Sequence, residues 1–146
     1  MADRIQYAKI LVATDGSDYS LLAGMHAAYL AKCLDSSVIV LYVVDVDMAF
    51  HSGIHYAEGV EELERSGAQA TAKIRDSCSG LGVPAKEIIA RGTPHSTILK
   101  TAEEEGVDLI VMGSIGMSAI ERALIGSVSD RVVRHARCPV LLVRKK

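Results

Sequence analysis

Glycine and serine recur late in this chain at a spacing that suits anion binding. Gly113 and Gly116 follow the apolar run Leu109-Ile110-Val111-Met112, and nine residues later come Gly126, Ser127, Val128 and Ser129. Glycine lets the chain turn sharply and leaves its amides bare. A serine at a helix start adds a hydroxyl where the first amides lack intrahelical partners and the dipole favours negative charge. A glycine loop between a buried strand and a helix start can therefore cradle phosphate. Earlier in the chain, Asp15-Gly16-Ser17 ends another apolar run, Lys9 to Thr14.

The elements that would position these residues follow from periodicity. Five apolar strand candidates alternate with helical segments. The first strand is Lys9 to Thr14. A helix runs from about Asp18 to Leu34, with Ser17 or Asp18 as N-cap and Leu22, Met25, Tyr29 and Cys33 along one stripe. Val38 to Val44 is the second strand, and Asp45 to about Tyr56 reads as an irregular loop. The next helix carries Val60, Leu63, Gly67, Ala70, Ile74 and Leu81 near helical period. Ile88-Ile89-Ala90 makes a short third strand, and Thr93-Pro94 opens a helix reaching about Glu105. Leu109 to Met112 is the fourth strand. A last helix, from about Ser127 to Ala136, presents Val128, Val132 and Val133 before the fifth strand, Val140 to Val143.

Each connection is long and holds a helix, so parallel strands with right-handed crossovers are expected. The apolar runs read as strands buried on both faces, covered by helices on each side. The fold class is α/β: an open, doubly wound, five-stranded parallel sheet. Such sheets bind ligands outside the carboxyl ends of their strands. Asp15-Gly16-Ser17 and Gly113-Ser114-Ile115-Gly116 both fall on that edge.

Composition narrows the partners. The chain has 146 residues, 49% of them hydrophobic, which suits a single domain spanning residues 1–146. Its net charge is −2, with no basic block or aromatic-basic interleaving, so nucleic acid is not an expected partner. The tail Arg144-Lys145-Lys146 reads as a solvated end. No apolar run approaches the ~20 residues of a membrane helix, and no signal-peptide core is present, so a cytoplasmic protein without membrane contact is expected. Cys33, Cys78 and Cys138 have no metal-ligand spacing and read as small core side chains. His51 and His55 stand four apart near Asp45 and Asp47, but a glycine separates them and a structural reading is preferred.

Common phosphate motifs are missing. There is no Gly-x4-Gly-Lys-Ser/Thr, and no Gly-x-Gly-x-x-Gly follows the first strand. What stands instead is Gly113-x2-Gly116-x9-Gly126-Ser127. With this motif the chain resembles the ATP-binding branch of the universal stress protein family. The resemblance extends from Lys9-Ile10-Leu11 and Asp15-Gly16-Ser17, through Gly92-x-Pro94, to Cys138-Pro139-Val140-Leu141-Leu142-Val143. It implies the strand order 3-2-1-4-5, with the switch point between strands one and four. It also implies site residues. Asp15, led in by Ala13 and Thr14, would lie beside the ribose and the phosphate-bound metal. Backbone at Val43 would contact adenine, and Met112 and Gly113 would border the ribose. Gly116, Gly126, Ser127 and Val128 would surround the phosphates, with Ser129 close by. Because like charges repel, Asp15 would act on phosphate only through a bridging Mg²⁺ or Mn²⁺.

The family often carries a basic or imidazole side chain at position 115, where this chain has Ile115. Arg122, in the spacer, could substitute or simply be solvated. Fast hydrolysis needs a positioned base and a cation, and Glu121 is the sole acid or imidazole within the motif. The expectation is an ATP-binding, stress-response regulatory protein with slow turnover at most. Two alternatives are a non-nucleotide dimeric interaction module and an adenylating enzyme of the PP-loop class, faintly suggested by Asp15-Gly16-Ser17-Asp18-Tyr19-Ser20. The resemblance further implies a homodimer through the last strand, Pro139 to Val143. If that strand lies at the sheet edge, pairing would cover an aggregation-prone surface.

Overall fold

The computed structural model describes residues 4–51, 55–116 and 125–145. In chain order the elements are β1 (Lys9–Thr14), α1 (Asp18–Leu34), β2 (Ser37–Asp45), α2 (Val46–His51), α3 (Tyr56–Gly80), β3 (Ala85–Gly92), α4 (Pro94–Glu104), β4 (Leu109–Gly113), α5 (Ser127–His135) and β5 (Val140–Val143). All strand pairings are parallel, and the sheet order is β3-β2-β1-β4-β5. Side chains alternate strictly across the sheet. Ile10, Val12, Val38, Val40 and Val111 face α1 and α3, where they meet Ala23, Ala27, Ile74 and Cys78. Leu11, Ala13, Ile39, Leu41, Ile110 and Met112 face α4 and α5, where they meet Ile98, Ala102 and Val132. Helices cover both faces, as the apolar runs require.

Helix α1 departs from expectation in which face it buries. Leu22, Met25, Tyr29 and Cys33 do not form its core stripe: Met25 is 56% and Tyr29 65% exposed, and Leu22 is only partly buried. The buried residues are Ser20, Ala23, Gly24, Ala27, Ala28 and Ala31. The reason is close approach. A Cβ on Gly24 would lie 2.5 Å from Ile74, so α1 reaches α3 and the sheet only through small side chains. Cys33 is consequently exposed rather than a core residue, whereas Cys78 is buried and Cys138 half-buried. Leu81 and Val133 are likewise exposed, the first because α3 ends at Gly80.

The edge strands also differ. Only β1, β2 and β4 are buried on both faces; β3 and β5 are half-buried. Strand β3 is longer than Ile88-Ile89-Ala90 because Lys86, Glu87 and Arg91 hide its ends from an apolar reading. Helix α3 is tied over it by side chains. Thr71 Oγ1 donates to Glu87 Oε2 at 2.7 Å, Arg75 to Glu87 Oε1 at 2.8 Å, and Arg91 to Glu64 Oε1 at 2.6 Å. The two ion pairs, exposed, contribute little singly, but with the buried Thr71 hydroxyl they set how α3 lies on the edge.

The segment read as a loop from Asp45 to Tyr56 contains α2. Asp45 Oδ1 accepts from the amides of Asp47 and Met48, both at 3.1 Å, and so caps the helix. Six residues with only Ala49 buried show no period to read. His51 ends α2 and His55 precedes α3; residues 52–54 lie outside the described residues.

Gly67, buried on α3, tests the packing. A Cβ there would lie 2.5 Å from a ring carbon of Tyr42. Overpacking of this kind costs about 1–3 kcal/mol, against a helix-propensity gain of about 1 kcal/mol. Gly67→Ala should lower the urea midpoint with unchanged m. Gly80→Ala, where a Cβ meets nothing within 4 Å, should not lower it.

Candidate functional site

Strands β1 and β4 pair side by side at the centre of the sheet, with Ile10 opposite Leu109 and Val12 opposite Val111. From β1 the chain passes through α1 to β2 on one side; from β4 it passes through α5 to β5 on the other. The two exits diverge and leave a crevice at the carboxyl edge. Thr14 to Ser17 line one wall and Gly113 to Gly116 the other.

The β1–α1 wall is a tight turn. Gly16 has φ +86°, a conformation that favours glycine. Its amide donates to Thr14 Oγ1 at 3.2 Å, and Asp15 Oδ1 accepts from the Ser17 amide at 3.0 Å. Ser17 is the N-cap of α1, its Oγ accepting from the Ser20 amide at 3.2 Å. The other carboxylate oxygen of Asp15 is directed across the crevice: a Cβ on Gly116 would lie 2.9 Å from Asp15 Oδ2.

The glycine wall is close-packed. A Cβ on Gly113 would meet Tyr19 Cβ at 3.0 Å and its carbonyl carbon at 3.1 Å. On Gly126 it would meet Ile115 Cα at 3.2 Å and the Gly116 nitrogen at 3.5 Å. Hydrogen bonds fasten the same surfaces. The Gly126 amide donates to Ser114 O at 2.6 Å, and the Ser114 amide donates to Val143 O at 2.9 Å. Ser129 Oγ donates to Gly113 O at 2.8 Å. Glycine is thus needed at these positions for close backbone contact; the Gly126 amide, expected to be bare, is instead committed to Ser114 O.

The sequence-derived site residues fall into groups. Asp15, Gly116 and Gly126 converge at the crevice, and Gly126 is the N-cap of α5, with Ser127 exposed in its first turn. Val43 is half-buried and stands one step beyond Tyr42, which is in register with Thr14. Ala13 and Met112 direct their side chains into the core, so only their backbone reaches the edge. Val128 packs partly against that core. Ser129 is buried, its proton committed to Gly113 O, so it braces the loop. Ile115 is buried too, which makes position 115 a packing position in this chain. Glu121 and Arg122 lie outside the described residues.

Two residues at this edge escaped the sequence reading. Ser20 is buried and joined to Thr14, and nothing marks it among the polar residues opening α1. Tyr42 is buried beneath α3; burial pushes its phenol up, and the Asp15 and Asp45 carboxylates push the same way. Its signal was one aromatic residue within the aliphatic run of β2.

Among the described residues, no group of three or more His, Cys, Asp or Glu side chains could hold a metal. Asp15 supplies a carboxylate oxygen beside Gly116. That donor set fits an ion carried in by phosphates, since Mg²⁺ keeps waters and takes one or two carboxylates.

A hollow of about 360 Å³ lies at the opposite, amino end of the strands, between α4 and α5. Leu99, Val107, Ile110 and Cys138 line it, and burial raises the Cys138 thiol. Arg137 pairs with Glu103 at 2.9 Å on its rim. It contains no motif residue, and Arg137 on its rim is already committed to Glu103.

Removing the Ser129 hydroxyl should cost about 1 kcal/mol and leave a buried carbonyl poorly satisfied. Urea unfolding of Ser129→Ala checks this: a midpoint equal to the parent's would mean that the brace contributes nothing.

Comparisons with known proteins bear on the family and the fold. Residues 6–144 match the model of the universal stress protein family. Universal stress protein MJ0531 of Methanocaldococcus jannaschii is 42% identical over 144 residues, covering 95% of this chain and 83% of that protein. The solved structure of MJ0577, from the same organism, has a TM-score of 0.87 at 33% identity, over 97% of this chain and 99% of that one. A universal stress protein solved in complex with cAMP has a TM-score of 0.70 at 26% identity, over 94% and 97% of the respective chains. With the sheet order and these relatives in agreement, the chain belongs to the universal stress protein family, on its MJ0577-like branch.

Proposed function

We propose that this chain binds ATP in the β1–β4 crevice and acts as a nucleotide-dependent regulatory switch, hydrolysing it slowly at most. The observation that carries the reading is the convergence of Asp15, Gly116 and the Gly126-Ser127 helix start on one sheet edge. A family member holding cAMP supports an adenine nucleotide as the ligand class. Ligand phosphates favour the first amides of α5, where the helix dipole adds to bare N–H groups. In this reading the backbone of Val43 meets adenine, while Ala13, Thr14, Asp15, Met112 and Gly113 border the ribose. Gly116, Gly126, Ser127 and Val128 take the phosphates, and Ser129 supports them. Asp15 faces a phosphate-borne Mg²⁺ or Mn²⁺. No histidine or glutamate stands among the described motif residues, which supports single-turnover hydrolysis slower than about 1 per second.

The test is to denature the purified protein, identify released nucleotide by chromatography, and measure thermal shifts with ATP and Mg²⁺. Ligand at a hundredfold over its dissociation constant should add about 2.7 kcal/mol, or roughly 2–4 °C. Gly126→Val, which drives its side chain into the backbone of residues 114–116, should abolish the shift. The absence of both co-purified nucleotide and a thermal shift would overturn the proposal in favour of a nucleotide-independent interaction module.

A homodimer through β5 belongs to the same reading. The strand is apolar, lies at the sheet edge, and leaves Leu141 exposed. No helix among the described residues is long and apolar enough to cross a membrane. Three unpaired cysteines suit the reducing cytoplasm. Sedimentation at micromolar concentration should give a dimer, and a monomer would refute this assembly.

A further inference from the structure

We propose that Thr14 and Ser20 are positioning residues whose buried hydroxyls aim Asp15 at the glycine loop and so couple nucleotide binding to a divalent cation. The inference rests on the ATP reading above and adds a residue, Ser20, that lies outside the glycine motif.

The hydrogen bonds have one consistent direction. Ser20 Oγ has one proton, and it goes to Ser17 O at 2.9 Å. Ser20 Oγ must then accept from Thr14 Oγ1, also at 2.9 Å. Thr14 Oγ1, its own proton given away, accepts the Gly16 amide at 3.2 Å. Ser17 Oγ, 3.3 Å from Ser20 Oγ, caps the helix by accepting the Ser20 amide at 3.2 Å. The chain therefore runs from Gly16 N–H through two hydroxyls to Ser17 O and encircles the turn that carries Asp15. Within that ring, Asp15 Oδ1 is held by the Ser17 amide, and Oδ2 is the oxygen directed toward Gly116.

Packing alone does not call for hydroxyls here. Thr14 is 7% and Ser20 5% exposed, and replacing both partners of a buried hydrogen bond by apolar groups of similar shape is nearly neutral. Valine and alanine would fill the same space between β1 and α1. What they would not do is hold Gly16 and Ser17 in register, and with them the direction of the carboxylate. Bridging phosphate through an ion depends on that direction, because a carboxylate facing phosphate without an ion repels it.

The experiment measures ATP affinity by calorimetry in excess MgCl₂ and in EDTA, with circular dichroism as a check on folding. The unaltered protein should bind more tightly with Mg²⁺. Thr14→Val/Ser20→Ala should remain folded and reduce that Mg²⁺-to-EDTA ratio by about tenfold, equivalent to 1.4 kcal/mol. Thr14→Ser, which keeps the hydroxyl, should retain the ratio. If the double variant does not fold, Ser20→Ala alone gives the same comparison. An unchanged ratio, even with weaker binding in both buffers, would overturn the proposal by reducing the pair to a structural role. Absence of ATP binding by the unaltered protein in either buffer would instead overturn the underlying nucleotide reading, and this proposal with it.

Discussion

The pairing of β1 with β4 is the constraint on which the rest depends. These strands are far apart in sequence, yet Ile10, Leu11 and Val12 are in register with Leu109, Ile110 and Val111 at the middle of the sheet. Asp108 fastens the entry end: its Oδ2 accepts from the amides of Ala8 and Lys9 at 2.8 and 2.9 Å. With the entries fixed and the strands fully buried, the exits have little freedom. Thr14-Asp15 and Gly113-Ser114 must emerge together and then part, one toward α1 and the other toward the glycine loop. The crevice is a consequence of topology before any ligand is considered.

The central architecture was legible because doubly buried strands are written in unbroken apolar runs. Ile10 to Ala13, Val38 to Leu41 and Leu109 to Met112 have no competing reading. The helix starts were legible too: of the two caps offered for α1, Ser17 rather than Asp18 takes the role and accepts the Ser20 amide, and Pro94 opens α4 after Thr93. Boundaries failed where tertiary packing decides. On α1 the apolar stripe Met25-Tyr29-Cys33 pointed the wrong way, because proximity to Ile74 selects alanine and glycine over larger residues. On β3 the charged residues Lys86, Glu87 and Arg91 belong to a strand whose outer half faces water and α3. Helix α2 was invisible because a six-residue element held by one aspartate cap has no period.

The same split applies to the candidate site. Glycine spacing announced the loop, but not why each glycine is required. Gly113 admits Tyr19, Gly116 admits the Asp15 carboxylate, and Gly126 admits the backbone of Ile115. Nor did the sequence distinguish Ser127, exposed at the helix start, from Ser129, buried two residues later with its hydroxyl on a strand carbonyl. One side chain is open to solvent; the other ties the start of α5 to the end of β4.

The two borders of the sheet are unlike, and this bears on how copies can meet. Strand β3 presents Lys86, Glu87 and Arg91 and is overlaid by α3 through ion pairs, whereas β5 is a bare apolar strand of four residues. A sheet with one guarded border can be extended from the other border only. Two copies joined border to border through β5 would each turn a guarded side outward, leaving no open strand for a third. Association by this route closes on itself under twofold symmetry. In such a pair the charges on β3 would act at a distance, by keeping it from growing into a filament.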